Sequence, residues 1–184
     1  MHDRCDKIFH CEDRSDEEDC DYFVVDSSTY NKKYPPVSDE KETEVMVYIV
    51  IEKIQNIKEL DMSFDVKFTL ALEWLDSRLK YKNLLNSHWT NLVKEENKND
   101  VWIPALVFNN TNKNVMIQNG PKSALFVRKK GKHVNSPLTS VNEDFFYKGS
   151  ENTLILKVDY SLTFQCDFVL NTYPFDTQTC TIQV

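Results

Sequence analysis

The stretch DVKFTLALEW, residues 65–74, alternates without a break. Val66, Phe68, Leu70, Leu72 and Trp74 share one face, and Lys67, Thr69, Ala71 and Glu73 the other. Successive side chains of a strand point to opposite sides, so period two over nine residues predicts a half-buried β-strand. The pattern returns in LILKVDYSLTF, residues 154–164, where Leu154, Leu156, Val158, Tyr160, Leu162 and Phe164 oppose Lys157, Asp159, Ser161 and Thr163. Upstream, VMVYIVI at 45–51 is a continuous apolar run, which suits a strand buried on both faces. Shorter β segments are expected at 101–108, 115–118 and 124–128, and 83–94 reads as a helical turn or a loop. The glycines at 120, 131 and 149 fall where turns are expected. Several strands with alternating faces imply a mainly β chain, a sandwich or a barrel.

Bulk properties narrow the function. With 184 residues and 41% hydrophobic content, the chain can bury a core. A net charge of −7 argues against nucleic acid as a partner, because phosphate recognition needs a basic surface. The one basic run, RKKGKH at 128–133, is read as a solvated turn. No segment approaches the roughly 20 apolar residues of a membrane-spanning helix, and the polar start MHDRCD is no secretory signal. The chain as given therefore reads as soluble or truncated. There is no G-x-S-x-G, P-loop or dinucleotide fingerprint, and His2, His10, His88 and His133 are scattered, so an enzyme is not expected.

The five cysteines cluster at the two ends, three within the first twenty residues and two at 166 and 180. That distribution fits an oxidising, extracellular compartment, and without a CxxC pair a zinc site is not expected. An odd count leaves at least one thiol without an internal partner. Asn109-Asn110-Thr111 is an N-glycosylation acceptor at Asn109. The last pair brackets thirteen residues, CDFVLNTYPFDTQTC, with Tyr173-Pro174-Phe175 at the centre and Asp176 next. Closing such a loop by a disulfide contributes about 3 kcal/mol in the chain-entropy model, so a plain staple explains the cysteines. It does not explain an apolar tip, which costs solubility unless it meets another surface.

In order and separation, these stretches resemble the extracellular ligand-binding domain of the pentameric Cys-loop ligand-gated ion channels. The resemblance rests on the cysteine pair with YPFD and Q-x-C inside it and on Trp74-Leu75-Asp76-Ser77-Arg78-Leu79. It also rests on Trp102-Ile103-Pro104 followed by Phe108-Asn109-Asn110, and on LTFQC leading into the loop. It covers roughly residues 28–184. It implies an immunoglobulin-like β-sandwich with a short N-terminal helix, incomplete at 45–184 because it stops before the last strands. It implies a Cys166–Cys180 bridge whose tip, Tyr173, Pro174, Phe175 and Asp176, packs against the channel's membrane part and transmits ligand-induced movement. Aromatic residues before proline and tight turns both favour a cis Pro174. Trp74, Asp76, Arg78, Trp102 and Pro104 would be scaffold, and Thr69, Ala71, Asn109, Leu154 and Leu156 ligand-contact candidates in a pocket between subunits. Ala105 stands where the family usually has aspartate.

The first twenty residues resemble the C-terminal half of a low-density-lipoprotein-receptor class A repeat, with CEDRSDEEDC at 11–20 fitting C-x-D-x-S-D-E-x-x-C. This implies a Cys5–Cys20 bridge, an unpaired Cys11, and a calcium site at Asp6, Asp16 and Glu17, where His10 replaces another acid. The bland alternative is a solvated acidic tail with one disulfide. Residues 21–44 would hold a short helix and a linker. The resulting expectation is the extracellular part of a pentameric channel subunit at the cell surface, homo- or heteromeric, with a small neurotransmitter-like ligand and no obligatory cofactor. It would be anchored by transmembrane helices outside this sequence. Two other readings stand beside it. One is a secreted binding protein of the acetylcholine-binding type without a pore; the other is an adhesion or lipoprotein-binding module.

Overall fold

The structure, a computed structural model, describes residues 5, 7–18, 20, 23–25, 28–37, 42–111, 115–116, 123–134 and 145–184. Among them the chain is mainly β. In order come β1 (Phe23–Val24), β2 (Val45–Lys58), β3 (Ser63–Trp74), β4 (Lys80–Lys82), α1 (Glu95–Lys98), β5 (Val107–Phe108), β6 (Val115–Met116), β7 (Ser123–Arg128), β8 (Phe146–Lys148) and β9 (Thr153–Gln165). The sheets run β1-β4-β8, β2-β3-β9-β7 and β5-β6. Residues 83–94 contain one 3-10 turn, His88–Thr90. No helix occurs among the described residues of 21–44, which supply β1 and turns instead.

The period-two reading of β3 and β9 holds. Phe64, Val66, Phe68, Leu70, Leu72 and Trp74 are buried, and so are Leu154, Leu156, Val158 and Phe164. The apolar run at 45–51 is a strand, but not one buried on both faces: Met46 to Ile51 are 36–62% exposed. β2 is the edge of its sheet, with β3 on one side only, and hydrophobicity cannot bury a strand that lacks covering layers.

The residues form two compact units, and β2, β3, β7 and β9 contribute to both. The first comprises Met1–Val47, Leu72–Ile103 and Ala124–Leu156. Its core holds Trp74 edge-on to Trp102 at 6.1 Å and Phe23 edge-on to Tyr81 at 5.3 Å. β4 pairs antiparallel with β8, Tyr81 opposite Tyr147. Gly149 follows β8, and a Cβ there would lie 2.0 Å from the Asp76 carbonyl oxygen, so only glycine fits. The basic run begins as structure rather than as a solvated turn. Arg128 makes two 2.8 Å bonds to the buried Glu73 carboxylate, and Lys129 sits 4.9 Å over the Tyr147 ring. Burying Glu73 is tolerable only because this bidentate partner satisfies it.

The second unit comprises Tyr48–Ala71, Pro104–Ser123 and Lys157–Val184. Its centre is aromatic: Phe68 lies 5.4 Å from Phe108, 5.6 Å from Tyr160 and 6.1 Å from Phe164. Phe64 extends the group, 5.9 Å from Phe164. Rings at such separations contribute beyond the area they bury. Burial also raises the Tyr160 phenol pKa above its usual value.

Candidate functional site

After β9 the chain forms a covalently closed loop, residues 166–180. Cys166 and Cys180 are joined, and the Cys166 N–H donates to the Met62 carbonyl at 2.9 Å. Inside the loop the Gln178 amide pairs with both backbone groups of Val169, accepting its N–H at 3.0 Å and donating to its carbonyl at 2.9 Å. Gln178 Nε2 also contacts the Asp176 carboxylate. Beyond this waist the chain folds into two tight turns, Tyr173 N–H to Leu170 O and Phe175 N–H to Thr172 O. The Tyr173–Pro174 bond is cis, as the sequence suggested. The tip projects: Tyr173 is 64% and Phe175 92% exposed. On the body side the loop borders an apolar groove of about 590 Å³, lined by Ile54, Phe64, Phe168, Leu170 and Ile182 among others.

The root of the loop is held by the turn after β5. Asn110 Nδ2 donates to the carbonyls of Gln165 at 3.1 Å and Thr181 at 2.8 Å, and its Oδ1 accepts the Gln183 N–H at 2.9 Å. Its own carbonyl accepts the Gln165 N–H at 2.8 Å. Asn109, next to it, is exposed and uses its backbone N–H on the Gln183 carbonyl at 3.0 Å. Thr111 Oγ1 donates to the Phe108 carbonyl at 3.2 Å.

The ligand-contact candidates do not all reach a surface. Leu154 and Leu156 are fully buried, as are Thr153 and Ile155 of the opposite parity, so both faces of this end of β9 are covered and neither leucine presents a surface to a ligand. Thr69 and Ala71 lie on the opposite parity of β3 and are partly exposed. Thr69 Oγ1 lies 2.7 Å from Asp159 and 3.1 Å from Glu52, and Lys67 Nζ is 2.6 Å from Glu52. The lysine and the threonine hydroxyl hold the Glu52 carboxyl below its usual pKa, the lysine more strongly.

The scaffold residues other than Pro104 lie in the first unit. Asp76 is wholly buried and receives Arg78 Nε at 2.8 Å and Nη2 at 2.7 Å. Arg78 Nη1 also donates to the carbonyls of Asn31 and Tyr34. Tyr30, whose ring lies under the guanidinium at 4.5 Å, donates its hydroxyl to Asp76 at 2.9 Å and accepts the Trp102 N–H at 2.8 Å. Burial pushes the Tyr30 phenol up to about 12. Pro104 is buried. Removing one partner of such a buried pair typically costs about 3–5 kcal/mol.

At the amino terminus Cys5 is bonded to Cys20, and Cys11 is a free, exposed thiol. Asp16 is turned inward, accepting the N–H groups of His10 at 2.6 Å and Cys11 at 3.3 Å. Glu17 accepts the Lys7 N–H at 3.0 Å. Asp6 lies outside the described residues. Among the described residues no three His, Cys, Asp or Glu converge as metal ligands.

Asn110 and Gln178 stand within the motifs that carry the resemblance, but their part in holding the loop, like that of the hub tyrosine, Tyr30, was not assigned from the sequence.

A family model described as the neurotransmitter-gated ion-channel ligand binding domain matches residues 24–184. The chain is 26% identical over 140 residues to the glutamate-gated chloride channel of Drosophila melanogaster, covering 76% of this chain and 26% of that protein. It is 22% identical over 143 residues to gamma-aminobutyric acid receptor subunit rho-1 of Homo sapiens, covering 76% and 25% respectively. It thus spans about a quarter of the length of these curated relatives. No helix among its described residues is long and apolar enough to cross a membrane. The family match takes in both the strand core and the bridged loop, and the chain therefore belongs to the ligand-binding domains of neurotransmitter-gated ion channels.

Proposed function

We propose that this chain is the extracellular, ligand-binding portion of a pentameric channel subunit, and that the Cys166–Cys180 loop carries ligand-induced movement to the pore. The observation that supports this reading best is the loop tip. Phe175 is 92% exposed at the end of a loop whose waist and root are hydrogen-bonded, and a held apolar knuckle implies a partner surface. The agonist binds between adjacent subunits and shifts the population of the open state by its differential affinity for it. Recordings from the complete receptor test this: Phe175→Ala should cut the maximal response several-fold while agonist affinity changes little. Unchanged efficacy would refute coupling through the tip.

The surface around Thr69 and Ala71 bears on the ligand. Its carboxylates, Glu52 and Asp159, meet one lysine, Lys67, which is already bound to Glu52. The two relatives are named for glutamate and γ-aminobutyric acid, both carboxylates; this patch favours an amine without a carboxylate. A panel of biogenic amines and amino acids applied to the expressed receptor decides it, and activation by glutamate at low concentration would overturn it.

Exposed Asn109, followed at the second position by Thr111, is read as an N-glycan acceptor, in which case it cannot also touch ligand. A mass shift on endoglycosidase treatment checks this. The amino-terminal patch is read as a partial class A repeat in which Asp16 serves the backbone rather than a cation.

A further inference from the structure

We infer that Asn110 is the joint that makes the Asn109 turn and the disulfide-closed loop move as one body, so that a load on Asn109 is felt at Tyr173–Phe175. The geometry stands by itself; its use in gating rests on the coupling reading proposed above.

Gln165 precedes Cys166 and Thr181 follows Cys180, so these two residues are the roots of the loop. A primary amide has two N–H donors. Asn110 gives one to each root, and its oxygen takes the Gln183 N–H, two residues further along the second arm. Every donor of the side chain is therefore committed to an arm of the loop. Its backbone repeats the attachment: its carbonyl takes the Gln165 N–H, Asn109 N–H goes to Gln183 O, and Thr111 bridges to Phe164. Moving the turn while the arms stay in place would break several hydrogen bonds at once. Asn109, meanwhile, is exposed and can take a load from outside. The two neighbouring asparagines thus divide the work, one facing outward and one gripping the arms. Asn110 is on this account a positioning residue and touches no ligand itself.

A double-mutant cycle on the 184-residue chain tests the joint, read by amide hydrogen exchange. The load is Asn109→Trp, a bulky change at an exposed site. The joint is cut by Asn110→Asp, which keeps the acceptor for Gln183 but turns the donors into an oxygen facing the carbonyls of Gln165 and Thr181. With Asn110 intact, the load should change exchange at the Tyr173 and Phe175 amides by at least about threefold, the lower end of coupling between interacting residues. In the Asn110→Asp background that response should vanish, while Gln183 stays protected. A purely structural role would loosen the arms equally with and without the load. If Asn110→Asp fails to form the Cys166–Cys180 bridge, Asn110→Ser, which keeps one donor and one acceptor, should show a reduced response. A response at the tip that survives Asn110→Asp or Asn110→Ser, or no response with Asn110 present, overturns the inference. Neither result depends on Phe175→Ala recordings, so the joint and the coupling reading fail separately.

Discussion

Cys5–Cys20 and Cys166–Cys180 close loops of nearly equal span, 15 and 14 residues, yet the interiors of the two loops differ. The first is held by carboxylates that accept backbone N–H groups: Asp16 from His10 and Cys11, Glu17 from Lys7, and Asp13 from Ser15. It also places Cys5, Lys7 and Arg14 in the left-handed region, at φ 59°, 71° and 61°. The second has no such residue and is held by neutral amides, Asn110 and Gln178. The apolar residues of the first, Ile8 and Phe9, are about 60% exposed, whereas the second buries Phe168, leaves Val169 and Leu170 exposed along its arm, and presents Phe175 most of all. A bridge of the same length can therefore staple a local acidic knot or fix a projecting lever. The difference lies in what satisfies the backbone inside each loop.

The largest expected effect comes from cutting each bridge in turn. A loop of this length is worth about 3 kcal/mol in the chain-entropy model. Replacing Cys166 and Cys180 by serine should lower the β-domain's unfolding free energy by about that much, because Phe168 and Cys166 belong to its core. Replacing Cys5 and Cys20 should leave the same transition, followed through Trp74 and Trp102 fluorescence, within about 0.5 kcal/mol. Equal losses from the two cuts would erase the distinction.

Acid should separate the loops next. Backbone donation from His10, the main cause, holds the Asp16 carboxyl below its usual pKa, and the Ser15 hydroxyl and N–H do the same for Asp13. A carboxyl depressed in the folded form stabilises it above the unfolded pKa of about 3.9, and the stabilisation is lost as pH falls through the folded value. The Ser15 amide resonance, whose acceptor is the Asp13 carboxylate, should therefore hold from neutral pH down to about 4 and shift below it. Those of Gln165 and Gln183, whose partner is an amide with nothing to titrate, should not move in that window. Movement of both sets together would mean that the knot and the lever share one acid-sensitive element.

Legibility in the sequence followed the range of the interaction. β3 and β9 could be read because period two is local, and the W-x-D-x-R spacing because Asp76 and Arg78 are two residues apart. β2 could be identified as a strand but not as an exposed one, since burial depends on which layers cover it. Leu154 and Leu156 were placed on the correct face of β9 and then assigned to a pocket, although that face is the core. Arg128 was misread because its partner, Glu73, is 55 residues away. The pair Asn109-Asn110 shows the limit most clearly: two identical neighbours, and only the fold reveals which side chain turns inward.

The smallest expected effect is the most informative about the lever. Phe175 is a large aromatic, and a core phenylalanine truncated to alanine costs about 3–5 kcal/mol. At 92% exposure it contributes almost no burial, so Phe175→Ala should change the chain's unfolding free energy by less than about 0.5 kcal/mol. The control sits seven residues away: Phe168 is only 8% exposed, and Phe168→Ala should be destabilising on the core scale. If Phe175→Ala proves as costly as Phe168→Ala, the tip folds back onto its own domain and offers nothing to a partner. If it is neutral in this chain and yet lowers the response of the complete receptor, the ring's contacts lie outside the domain that carries it. A fixed apolar residue has no other means of acting on gating without acting on stability.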